Sequence, residues 1–359
     1  MRIGRISCIA TLAIVAAGCK GSGGADGGSA AGGGVKGLAN SANDAAIVAA
    51  AKKAMACTWK GDSTSFDTDC ADWKAWTATN DIYTTAGSDV TFINMVEDPD
   101  VKVRLLACEH LGYDSDRKWV GDAALSSRVI AAAAAETQPH YEVDALGKAV
   151  ARIQYAKTAN WAAAKTALEA TPLKTMERNA LDWLLDFNET NADVWNWVKG
   201  KTKDADKSTA EGAVYGFVGL STRRADSCKV WGDLLADDRV GGDCANDICS
   251  QGECTAFFDP TLDATEGRAK SGNAPDSDWP SAMSNLVRNV KASDAQKKRA
   301  DAVLNELATN PHIEGYVRAS AIRSMYDADH AKGKALAARF LHDKDSSIES
   351  AAKDVLAKK

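Results

Sequence analysis

Histidine and proline are both thin in this chain of 359 residues. The five histidines, His110, His140, His312, His330 and His342, never fall three or four residues apart, so no two can share a helix face as metal ligands. There is no HExxH, no nucleophile elbow and no strand-borne dinucleotide fingerprint. The GGGVKG text at 32–37 has no strand before it and no Gly-Lys-Ser/Thr after it, which excludes a phosphate loop. Ser350-Ala351-Ala352-Lys353 spells an SxxK without its companion motifs. No catalytic residue, cofactor or metal ion is therefore expected. Seven prolines leave room for long uninterrupted helices. Basic residues are outnumbered, 43 Lys and Arg against 49 Asp and Glu, for a net charge of −6. Losing Arg2 and Arg5 with a signal peptide would take −6 to −8. A nucleic-acid partner needs a basic surface and is excluded on that ground.

What the chain does have is alanine, few strand formers and a recurring helical stripe, so the expected class is all-α. The organising stretch is Glu97 to Gly112, EDPDVKVRLLACEHLG. Asp98-Pro99-Asp100 is helix-entry chemistry. Val103, Leu106, Ala107 and Leu111 then form one apolar stripe, and Gly112 supplies a stop. Val90, Ile93, Asn94 and Val96 end a shorter partner helix upstream. Such a hairpin cannot bury both faces alone and needs stacked neighbours. The texture returns around Ala149, Ala180, Ala213, Ala321 and Ala352. From Ala107 the gaps are 42, 31, 33, 108 and 31, close to the period of helix-pair repeats except for the 108, which holds an insertion or degenerate units. Partner helices are expected over Asn160–Glu169, Asp193–Lys199, Ala282–Val290, Ala295–Ala308 and His330–Leu341.

This repeat resembles the short bacterial HEAT repeat, through Asp98, Val103-Arg104, Ala107 and Leu111. The resemblance implies an irregular HEAT-like, armadillo-type α-solenoid of stacked antiparallel helix pairs. It also implies a polar ladder in which Asp98 and Arg104, six residues on, connect neighbouring repeats; Arg104 recurs only as Arg318.

Residues 1–18 read as a secretory signal: Arg2 and Arg5, then an apolar run from Ile6 to Ala17 that is too short to span a bilayer as a mature helix. Ala16-Ala17-Gly18-Cys19 resembles a bacterial lipobox, with Ala16 where Leu is usual. The resemblance implies lipidation at Cys19 and anchorage in the cell envelope. Lys20 after the cysteine favours the outer membrane, facing the periplasm or the cell surface. Residues 19–43 are a Gly/Ala/Ser tether. Helical repeats are expected over 44–227 and 276–359, with a cysteine-rich loop insertion over 228–275 between them.

Export makes disulfides the first reading of the remaining cysteines. Cys57 and Cys70 bracket a polar loop at the first end of the stack, with Trp73 and Trp76 after it as aromatic packing or, alternatively, a sugar platform. Cys228, Cys244, Cys249 and Cys254 are expected to form two disulfides, with three pairings open. CxxC spacing typical of structural zinc is absent, and Asp243, Asp247, Glu253 and Asp259 do not follow a calcium loop. Asp343-Lys344-Asp345 likewise reads as turn capping. Cys108 is left over, on the buried side of its helix, as a small core hydrophobe. The expected function is a non-catalytic, lipid-anchored scaffold that binds another envelope protein. The alternative is an envelope enzyme or small-ligand or sugar-binding protein on the same scaffold.

Overall fold

The computed structural model describes residues 44–54, 56–57, 69–77, 88–113, 118–137, 141–220 and 222–358. The signal segment, Cys19 and the tether lie outside the described residues. Every described residue falls in one unit, 35–359. Among them the fold is all-helical, with 19 α-helices and two short 3₁₀ turns.

Two helices, α1 (Asp44–Ala54) and α2 (Ala71–Thr77), precede eight antiparallel pairs. The pairs are α3 (Ser88–Val96) with α4 (Val101–Tyr113), and α5 (Ala123–Ala135) with α6 (Tyr141–Arg152). After the single turn α7 (Tyr155–Thr158) come α8 (Trp161–Ala170) with α9 (Lys174–Asn188), and α10 (Ala192–Lys201) with α11 (Lys207–Tyr215). Next are α12 (Arg224–Gly232) with α13 (Gly241–Ser250), and α14 (Phe258–Ser271) with α15 (Asp278–Arg288). The last two are α16 (Asp294–Thr309) with α17 (Gly315–Ala328), and α18 (His330–Ala338) with α19 (Ser346–Ala357).

The second helices α4, α6, α9, α11, α13, α15, α17 and α19 pack in series, each on the next. Small residues set that spacing. Ala107, Ala149, Ala180, Ala213, Ala245, Ala282, Ala321 and Ala352, one per second helix, are all fully buried. Gly112 and Gly147 bring backbones closer still: a Cβ at either would collide with the carbonyl of Ala145 or Met176 on the following second helix. Larger side chains, among them Phe92, Trp119, Phe217, Trp231, Phe258 and Trp279, fill one continuous apolar core.

Helix starts are chemically marked. Asp122, Asn191, Asp206, Asp329 and Asp345 each accept backbone N–H bonds as caps, and Ser293 with Gln296 forms a reciprocal capping box.

Ala245 and Ala282 resolve the long gap, dividing 213–321 into 32, 37 and 39 residues. Residues 228–275 are therefore not a loop insertion. The segment holds the end of α12, all of α13 and all of α14, which belong to regular pairs. The reason is packing: Cys244, Ala245, Ile248 and Cys249 make the buried stripe of α13, so thiols stand where aliphatic residues stand elsewhere. Phe258, Leu262, Thr265 and Ala269 do the same for α14. Ala282–Val290, expected as a first helix, lies mostly in α15 and is a second helix.

Cys57 and Cys70 are disulfide-bonded, as are Cys228 and Cys254. The expectation of a second bridge in the cysteine-rich segment is corrected: Cys244 and Cys249 are free, buried thiols. Burial pushes both thiol pKa values up, with Asp247 and Asp243 adding to the shift at Cys244. Cys108 is fully buried and lies outside both disulfides.

Candidate functional site

The turns between first and second helices share one device. A side-chain oxygen at the start of the turn accepts the backbone N–H two residues on, at Asp98, Thr171, Asp204, Asp237, Asp276, Asn310 and Asp343. This aligns the turns along one edge and lets polar rungs cross between repeats.

Arg104 makes the first rung. Its guanidinium donates to the Asp98 and Pro99 carbonyls at 2.9 and 3.1 Å, and to the Glu136 carboxylate of the following turn at 2.8 Å. The Glu136 bond raises the Arg104 pKa against the opposing effect of burial. Asp98 meets Arg104 through its main chain; its carboxylate instead accepts from Asp100 N and pairs with Lys52 at 3.5 Å. Arg318 donates to the Ala308 carbonyl at 3.1 Å and stands 3.9 Å from Asp343 in the last turn.

Sequence spacing missed the middle rungs because they use other residue types. Glu177, at the helix position equivalent to Arg104, reverses the charge. It is fully buried and holds Lys201 at 2.7 Å and Lys174 at 2.8 Å. Arg239 donates to the Asp204 carbonyl of the preceding turn and pairs with Asp237 at 2.7 Å, which holds the Asp237 carboxyl below its ordinary range. Arg268 bonds Asp238 at 2.7 Å.

Polar and aromatic side chains of the second helices change in chemistry along the stack, from the buried Lys148 and Arg152 to the exposed Asp186 and Tyr215. α6 and α9 share cation–aromatic pairs: the buried Lys148 ammonium 3.6 Å from the Trp183 ring centre, and the buried Arg152 guanidinium 5.6 Å from that of Phe187. Asp182, Asp186 and the exposed Tyr215 continue the series. Asp243 and Asp247 on α13 and Asp278 on α15 follow. One Asp247 oxygen is sealed from solvent without a hydrogen-bond partner among the described residues. Burial, then the charges of Asp243 and Asp278, push its pKa well above the carboxylate range. Arg323 and Asp354 close the series with a 3.0 Å pair.

Among the described residues, no group of three or more His, Cys, Asp or Glu is placed to hold a metal ion. His110 stacks on Phe92 at 3.6 Å, and Lys353 pairs with Glu349. Trp73 is half-buried against the core; the Trp76 side chain lies outside the described residues. No helix of the described residues is long and apolar enough to cross a membrane.

No family model matches the chain, and no curated protein does. Among solved structures it is similar to crystal structures of engineered proteins. One is 14% identical, covers 87% of this chain and 94% of its own, and superposes with a TM-score of 0.32. Two others are 16% and 15% identical; each covers 77% of this chain, and they cover 95% and 97% of their own, both with TM-scores of 0.21.

Proposed function

We propose that this chain is a lipid-anchored scaffold of the bacterial cell envelope, of the HEAT-repeat kind, which binds a protein partner without catalysing a reaction. The observation that carries the reading is the series of second helices packed one on the next through eight stacked pairs. Stacked pairs present an extended surface suited to a partner of matching length. Asp186, exposed on α9, and the half-buried Asp182 beside it favour a partner segment bearing lysine or arginine. Cys19 and the 19–43 tether supply anchor and reach, an r.m.s. span of roughly 25–30 Å. Lys20 favours the outer membrane over the inner.

Two measurements test the reading. Metabolic labelling with a radioactive fatty acid is expected to mark the full chain and to be lost in Cys19→Ala. Crosslinking in intact envelopes is expected to trap a partner through the second helices, with recovery reduced at least severalfold by Asp182→Lys with Asp186→Lys. Undiminished recovery in that variant, or fatty-acid label retained without Cys19, contradicts it.

A further inference from the structure

Successive first helices leave a groove between them, and four such grooves can be compared. The one between α3 and α5, about 470 Å³, is crossed by finished ion pairs, Arg104 with Glu136 and Arg128 with Glu97. The one between α16 and α18, about 510 Å³, is crossed by the Lys332–Asp301 pair. Between α5 and α8 the groove, about 580 Å³, is lined mostly by alanine and carries no charged side chain.

The groove between α8 and α10 differs in kind. It measures about 690 Å³, within the usual range of small-ligand sites. One wall is the α8 stripe of Trp161, Lys165 and Glu169; the other is the α10 stripe of Asp193, Asn196, Trp197 and Gly200. The two indoles meet edge to face at 5.4 Å, and Tyr155 supports Trp161 from behind at 5.1 Å. Trp197 is buried and its Nε1 donates to Glu169 at 2.8 Å, while Trp161 stays partly exposed. The cations are engaged already: Lys201 by Glu177, and Lys165 by Glu169 at 3.9 Å. Asp193 and Asn196 are exposed, and their side chains have no partner among the described residues. Gly200 keeps the wall low, since a Cβ there would meet nothing within 4 Å.

From this arrangement we infer that the α8–α10 groove is a binding site for a neutral saccharide of one or two rings. A pyranose presents an apolar C–H face, which suits the Trp161 indole. It also presents hydroxyls that donate to carboxylates and exchange hydrogen bonds with carboxamides, the two groups left open on α10. Carboxylates at Asp193 and Glu169, with both lysines paired, disfavour an anionic ligand. The site lies on the layer opposite the second helices, so its occupancy and protein binding are separable.

The test uses the full chain with maltose, cellobiose and diacetylchitobiose as probes at millimolar concentration. Saturation-transfer NMR is expected to show contact with at least one of them, and calorimetric titration to give its affinity. Gly200→Leu is expected to weaken that affinity roughly tenfold or more by filling the groove, with a melting temperature unchanged or raised because leucine favours helix. Asp193→Ala with Asn196→Ala is expected to weaken it comparably, again without loss of fold. The inference is overturned if none of the three probes binds the wild-type chain, or if binding survives undiminished in both variants.

Discussion

Glu177 shows how much a single polar residue can carry in a stack of this kind. Its carboxylate is fully buried, so its stability depends on the two lysines that reach it. They are not equivalent. Lys174 is half exposed, whereas Lys201 is largely covered and links Glu177 to the Asp204 turn of the next repeat. Lys201→Met is expected to cost about 2–4 kcal/mol in equilibrium urea unfolding, and Lys174→Ala no more than about 1 kcal/mol. Two aspartates carry opposite pH signatures. Backbone N–H bonds from Thr209 hold Asp206 below its ordinary pKa, so its cap stabilises the fold above the unfolded value and is lost as pH falls through the folded one. Asp206→Ala is expected to cost about 1 kcal/mol at neutral pH and to converge on wild type in acid. Asp247 runs the other way. Its raised pKa means that the folded wild type loses stability as pH rises from about 4 through the folded value. Asp247→Asn is expected to melt above wild type at neutral pH, with the gain shrinking as pH falls towards about 4; a variant that melts lower at neutral pH contradicts this.

At the scale of elements, the α4–α6–α9 contact and the α12–α13 pair are the places to probe. Gly147 faces the Met176 carbonyl with no room for a methyl group, so Gly147→Ala is expected to cost about 2–3 kcal/mol by forcing α6 and α9 apart. The Cys228–Cys254 bridge ties α12 to the turn between α13 and α14 across 26 residues. Replacing both cysteines by alanine is expected to cost about 3–4 kcal/mol on the chain-entropy model. Alkylation of the unfolded, unreduced protein is expected to label Cys108, Cys244 and Cys249 and to spare Cys57, Cys70, Cys228 and Cys254. This segment is also where the sequence was hardest to read. Four cysteines after a signal-like N-terminus look like bonds, and that reading hid the stripe of α13, where Cys244 and Cys249 act as apolar core residues. The Ala107, Ala149, Ala180, Ala213, Ala321 and Ala352 stripes were legible because alanine and aliphatic residues carry the 3.6-residue period without ambiguity. The polar rungs were legible only where arginine stood in the expected place, at Arg104 and Arg318. The Glu177 rung has the same position but the opposite charge, and no spacing rule points to Lys201 as its partner.

For the whole molecule, stability is distributed along the stack, because each pair buries its apolar faces on its neighbours. The α8–α10 groove escaped the sequence reading for a related reason. Trp161 and Trp197 lie in different repeats, and only stacking brings their rings together. The central claim is that the stack runs unbroken from α3 to α19, through the cysteine-rich segment. Hydrogen exchange on the native full chain, followed by mass spectrometry of its peptides, tests that most directly. Amides of α13 and α14 are expected to be protected to the same order as those of α9 and α15. Exchange of 241–271 within seconds, beside well-protected flanking helices, would show a loop inserted in the stack and would contradict the account.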